Sequence, residues 1–215
     1  MSLTSDRRDH NRYRRHAPIR AVSDAHETLR EDPVLRALIE EFGEIEIDTA
    51  EEPFERLVVS IVNQSISTAS ANAVRERVFE RFDEVTPATV LAADADELSD
   101  AGLGETKTEY VRNAARAFRE RDLGREGLAD ASDEEVIDEL GEIRGIGEWT
   151  ARMYLIFALG REDVLPLGDL AVRRGIESLY GDGGDLTRGE MREIAERWRP
   201  YRSLATLYIW HHYES

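Results

Sequence analysis

Two groups of residues in this chain have the types and spacing to do chemistry together. The first is Gly145-Ile146-Gly147, followed by Glu148-Trp149-Thr150-Ala151. Two glycines around one apolar residue fit a tight turn whose backbone comes very close to a neighbour, because no Cβ obstructs the approach. A helix is expected to begin at Thr150 and Ala151. The first N–H groups of a helix lack internal partners, which suits an anion and most naturally a phosphate. The second group is a lone acid, Asp169, which follows Pro166 and Gly168 and precedes another helical pattern. A fixed carboxylate in a dry site can stabilise developing positive charge or direct a water molecule. Taken alone, Asp169 is equally well explained as a helix-start residue facing free amides and the helix dipole.

The elements that must hold these groups read as helices throughout. Asp32-Pro33 starts a turn within a helical stretch over 24–42, with Val34, Leu35, Leu38, Ile39 and Phe42 at helical spacing and Gly43 as the stop. Residues 44–52 are an acidic linker. Pro53 opens a helix carrying Phe54, Leu57, Val58, Ile61 and Val62, which ends in the polar break Asn63-Gln64-Ser65-Ile66-Ser67. Ser67 or Thr68 is placed to cap the next helix. Thr86-Pro87 and Asp94 start short helices, and Gly102-Leu103-Gly104 turns into a longer one with Tyr110, Val111, Ala114, Ala115 and Phe118. Ser132 with Glu135 three residues on matches a capping box for the helix that enters the glycine turn. Thr187 caps another, and an aromatic-rich helix with Tyr201, Leu204, Leu207, Tyr208 and Trp210 closes the chain. No strand alternation appears, so an all-α chain of about ten helices is expected.

Composition narrows the setting. The 215 residues suit one large domain or two small lobes, and 41% hydrophobic residues can bury a real core. No apolar run is long enough to span a membrane, and the N-terminus is rich in Arg and Asp rather than apolar. A cytoplasmic, monomeric protein is expected. Absence of cysteine excludes disulfides, thiolate metal sites and cysteine-held iron–sulfur clusters. His10, His16, His26, His211 and His212 have no metal-ligand spacing. The net charge of −17 argues against a nucleic-acid partner unless the surface is adapted to molar salt, where the Debye length is about 3 Å. Lys107 is the one lysine among 28 basic residues, and the acids are spread evenly. Both features favour adaptation to salt over a cationic partner.

The turn Gly145-Ile146-Gly147, the following Trp149-Thr150-Ala151 and Leu165-Pro166-Leu167-Gly168-Asp169 together resemble the helix–hairpin–helix/GPD superfamily of base-excision DNA glycosylases. Within it the match is to the 3-methyladenine DNA glycosylase II branch, which repairs alkylation damage. Phe54–Ser67, Gly102–Lys107 and Trp198-Arg199-Pro200-Tyr201-Arg202-Ser203 leading to Trp210 agree with it. The resemblance runs over roughly residues 30–213.

The resemblance implies a two-lobed fold with the DNA cleft between the lobes. A tail of basic residues (1–20) would precede N-terminal helices (21–53) that pack on the C-terminal lobe; a middle bundle (54–130) and a catalytic lobe with the hairpin (131–215) would follow. It implies hydrolytic release of alkylated purines from duplex DNA, with abasic-site repair enzymes acting downstream. Asp169 would be the catalytic acid. Trp149, Trp210, Met153 and Tyr154 would line the base pocket. Gln64, Ser65 and Ile66 would form the wedge that fills the gap left by the flipped base. Gly145, Gly147, Trp149 and Thr150, with Arg144 and Arg152, would hold a DNA phosphate. The carbonyls of Gly141, Ile143 and Gly145 would bind Na+ or K+ when DNA is present, and no other cofactor is required. Trp149 stands where lyase-active relatives carry a nucleophilic lysine, so a monofunctional enzyme is expected. The alternatives are a glycosylase for oxidised, deaminated or mismatched bases and a non-catalytic DNA-binding protein. The acid at position 169 speaks against the second.

Overall fold

The computed structural model describes residues 19–65 and 68–215, and among them the secondary structure is helical with no strand. The basic segment 1–18 and the wedge candidate Ile66, with Ser67, lie outside the described residues. In chain order the α-helices are α1 (Ile19–Leu29), α2 (Pro33–Phe42), α3 (Pro53–Asn63), α4 (Thr68–Phe79), α5 (Pro87–Ala92), α6 (Ala95–Leu98), α7 (Gly104–Glu120), α8 (Asp133–Gly141), α9 (Glu148–Phe157), α10 (Leu170–Tyr180), α11 (Arg188–Ala195) and α12 (Arg202–Glu214). No helix among the described residues is long and apolar enough to cross a membrane.

Helix starts follow from local chemistry. The stretch over 24–42 is two helices, because Asp32 ends the first path and caps the second. Its Oδ1 accepts the N–H groups of Val34 (2.8 Å) and Leu35 (3.3 Å), and Pro33 takes the first helical position, where no N–H is needed. The same carboxylate, 5% exposed, accepts from the Tyr180 hydroxyl (3.2 Å) and lies 3.5 Å from Arg197. It thereby ties α2 to α10 and to the turn after α11. Reciprocal capping boxes open α5 (Thr86 with Thr89), α8 (Ser132 with Glu135) and α11 (Thr187 with Glu190).

The apolar faces make two clusters. One joins α3, α7, α8 and α9 through Leu57, Ile61, Val111, Ala115, Leu140, Ile146, Ala151 and Leu155. The other joins α1, α2, α10, α11 and α12 through Leu29, Leu35, Leu38, Val172, Ile176, Trp198, Ala205 and Ile209. Each fully buried Leu or Ile contributes about 1.5–3 kcal/mol, so both clusters are cores in their own right. The two helices around the glycine turn therefore bury their apolar faces with residues 54–123, while segment 165–209 packs with the N-terminal helices. Ile47 and Trp210 pack against both clusters. The chain passes from one core to the other between Val164 and Leu165. Asp169 thus stands just beyond the crossing, at the start of α10. In the second core α10 and α12 cross closely: a Cβ on Gly175 would come within 2.4 Å of Ile209 Cγ2.

Candidate active site

The glycine turn is held from below by the middle helices. Gly145 has φ +102°, and a Cβ there would sit 2.1 Å from Tyr110 Cγ on α7, so only glycine fits. Gly147 is different. Its φ is −101° and a Cβ would meet nothing within 4 Å. Its missing side chain leaves the outer side of the turn open, where an approaching molecule would come. Helix α9 begins at Glu148, two residues earlier than Thr150-Ala151, with Gly147 as an N-cap that makes no side-chain bond. The first intrahelical bond runs from Ala151 N to Gly147 O (3.0 Å). The N–H groups at the start of α9 therefore face outward with the positive end of the helix dipole, the arrangement that receives an anion.

Asp169 is the N-cap of α10. Its Oδ1 accepts the N–H groups of Ala171 (2.8 Å) and Val172 (3.2 Å). Its Oδ2 accepts the indole N–H of Trp149 at 2.7 Å. The acid and the first turn of α9, apart in sequence, thus meet through one hydrogen bond. An ionised carboxylate has about four acceptor positions. Three are used, which leaves one on Oδ2. Asp169 is half-buried, and Leu170 beside it is 57% exposed. No sequence signal marked Leu170.

The remaining candidates fall into different places. Trp149 is half-buried with its N–H committed to Asp169, so it orients the acid as well as standing beside it. Trp210 is half-buried and stacks on Phe157 (5.9 Å between centroids, 19° between planes), and the Arg56 guanidinium lies 4.4 Å over Phe157. One face of Trp210 is covered by that contact. Tyr154 and Met153 do not line an open pocket. Tyr154 is fully buried, donates to Leu123 O (2.6 Å) and packs edge-on against Phe118; burial pushes its phenol pKa well up. Met153 is 4% exposed in the same core.

Thr150 enters the phosphate site through its backbone alone. It is 2% exposed, and its hydroxyl accepts from Gln64 Nε2 (2.9 Å), so only its backbone N–H is left for a phosphate. Gln64 itself does not project as a wedge, because its amide points back to Thr150 and to Gly145 O (3.0 Å). Ser65, the next residue, is exposed in the left-handed region (φ +57°). Arg144 pairs with Glu109 (2.8 Å) and Arg152 with Glu148 (3.0 Å), so each arginine must exchange a carboxylate before it meets a phosphate.

The carbonyls of Ile143 and Gly145, expected with Gly141 to bind Na+ or K+ when DNA is present, each keep a second lone pair. Ile143 O accepts Ile146 N–H (2.9 Å) and Gly145 O accepts the Gln64 amide, which takes one lone pair from each. No group of three or more acidic or imidazole side chains able to hold a metal occurs among the described residues.

The helices thus pack in two cores, with the glycine hairpin held on one and Asp169 capping α10 of the other. Residues 58–200, more than half of the chain, match the HhH-GPD superfamily of base excision DNA repair proteins, and the chain belongs to it. DNA-3-methyladenine glycosylase 1 of Schizosaccharomyces pombe is 30% identical over 167 residues, covering 74% of this chain and 72% of that protein. The chain spans 64% and 57% of the length of two further relatives, from Bacillus subtilis and Escherichia coli. Among solved structures, the S. pombe 3-methyladenine DNA glycosylase in complex with abasic DNA superposes with a TM-score of 0.80 at 27% identity, covering 89% of this chain and 97% of that one. The DNA-3-methyladenine glycosidase of Bacillus halodurans gives 0.75 at 34% identity, covering 89% of each chain.

Proposed function

We propose that this protein is a monofunctional DNA glycosylase that hydrolyses the N-glycosidic bond of alkylated purines in duplex DNA. The observation that carries the reading is the 2.7 Å bond between Trp149 and Asp169, which fixes the family's acid beside the anion-receptive start of α9. A phosphate on those amides positions the strand without reading sequence. The sugar then lies near the one free acceptor position on Asp169 Oδ2.

The step is a substitution at C1′. The C1′–N bond breaks and the base leaves with the bonding pair, while positive charge builds on the sugar. The Asp169 carboxylate stabilises that charge. Water adds to C1′, and its proton passes to Oδ2 and then to solvent. An N3- or N7-alkylated purine is already cationic and leaves neutral, so no second acid is needed. Trp210 offers a ring for stacking such a base, and a cation–π contact is worth about 0.5–2 kcal/mol. A Schiff-base lyase needs an amine at the sugar. The position in the hairpin helix holds Trp149, and Lys107, on α7, gives its amine to Val62 O (2.7 Å).

The test is incubation with methylated duplex DNA in molar KCl. Free methylated purine should appear with strands intact until alkali is added, and borohydride should trap no protein–DNA adduct. Tight duplex binding with no base release would make this a binding protein; a trapped adduct would make it a lyase.

A further inference from the structure

The wedge turn and the phosphate grip are joined by one side chain. Gln64 ends α3, and its amide nitrogen reaches across to the hairpin, donating to Gly145 O (3.0 Å) and to Thr150 Oγ1 (2.9 Å). Both amide hydrogens are used. Gly145 O can only accept, so a flipped amide would set two oxygens against each other, and the orientation is settled by the partners. The contacts around this link are numerous. Lys107 Nζ holds Val62 O (2.7 Å), steadying the last turn of α3. Asn113 Nδ2 donates to Arg144 O (3.3 Å), and Tyr110 fills the space under Gly145. The next residue after Gln64 is Ser65, exposed with φ +57°, a strained conformation for a residue with a Cβ and one that its surroundings must impose.

We infer that Gln64 is a positioning residue, which sets the register between the phosphate held by α9 and the place where the turn at Ser65 enters the duplex. This rests on the glycosylase reading above. Binding of a phosphate to the amides alone would tolerate movement of the turn. Extrusion of one nucleotide would not, because the inserted turn must meet the step next to the gripped phosphate, and flipping costs a few kcal/mol that insertion offsets. Gln64 therefore acts on flipping and catalysis, with little effect on simple attachment to DNA.

The decisive variant is Gln64→Met, which keeps length and removes both donors. Three quantities are read on wild type and variant: Kd for undamaged duplex, single-turnover release of 7-methylguanine, and fluorescence of a 2-aminopurine beside the lesion. Expected for the variant is a Kd within about twofold, with release and the fluorescence rise both reduced about tenfold, the loss of two neutral hydrogen bonds. Thr150→Val, which removes one of the two acceptors, should show a smaller loss of the same kind and serves if Gln64→Met does not fold. Unchanged release and fluorescence would overturn the inference, as would a Kd that weakens by the same factor as release. Failure of the wild type to release any base would sink the glycosylase reading instead, and the fluorescence comparison would still report on Gln64.

Discussion

Replacing Trp149 by phenylalanine removes one donor from Asp169 and keeps an aromatic ring in place. The bond removed is short (2.7 Å) and runs to a carboxylate; hydrogen bonds to charged groups are worth about 1.5–3 kcal/mol net. The two backbone bonds to Oδ1 remain, so the carboxylate stays at the start of α10 but turns more freely about its own axis. If most of that range is expressed in the transition state, single-turnover base release falls about 10- to 100-fold, since about 1.4 kcal/mol is tenfold. The amides of α9 are untouched, so Kd for duplex should stay within about twofold. The assay is release of 7-methylguanine under enzyme excess, beside Kd from anisotropy in the same buffer. A rate within twofold of wild type would show that the indole N–H does not serve Asp169 in the reaction. An equal loss in binding and rate would make Trp149 part of the DNA surface only.

Glu148 stands in the first turn of α9 with its side chain 66% exposed, a negative charge beside the proposed phosphate site. At the screening of bulk water such a pair costs about 1 kcal/mol, so Glu148→Gln should bind duplex roughly fivefold tighter at 0.1 M salt; the gain should vanish in molar KCl. Equal affinities at low salt would place the phosphate elsewhere. Lys107 should titrate below the ordinary 10.5, because burial penalises its charged form. The unfolded chain then holds that proton more tightly, so this residue's contribution to stability rises as pH climbs from below its lowered pKa to 10.5. NMR of the single labelled lysine reads the midpoint, and a value at or above 10.5 would refute the burial effect. With net charge −17, the melting temperature should rise between 0.1 and 2 M KCl; no rise would end the reading of a salt-adapted surface.

What was legible in the sequence was local. Asp32, Thr86, Ser132 and Thr187 cap helices because a short polar side chain reaches its own chain's next amides, which needs no tertiary partner. Gly145 was legible as a close approach, and Tyr110 is what lies close to it, whereas Gly147 has open space on its outer side. Helix α9 is buried on almost every side, from Thr150 to Ile156, so periodicity does not separate a pocket side from a core side, and Tyr154 and Met153 lie on the core side. The link from Gln64 to the hairpin crosses 81 positions of sequence, and a glutamine carries no mark of where its amide will point. The sequence marks Trp149 by its ring, whereas its N–H is what reaches the acid. Grouping the hairpin with the later helices followed chain order. The apolar clusters change over between Val164 and Leu165, because α9 packs on α3 and carries α8 with it.

We propose that Asp169, held by Trp149 and the start of α10, performs the bond cleavage. The most direct test is single-turnover release of methylated purine in molar KCl by wild type and Asp169→Asn, with Kd for the same duplex measured alongside. The asparagine keeps the size and one acceptor oxygen but carries no charge to stabilise the sugar cation. Electrostatic stabilisation of this kind is worth about 2.7–4 kcal/mol or more, so release should fall at least 100-fold while Kd changes little. Equal release by the two proteins would contradict the claim.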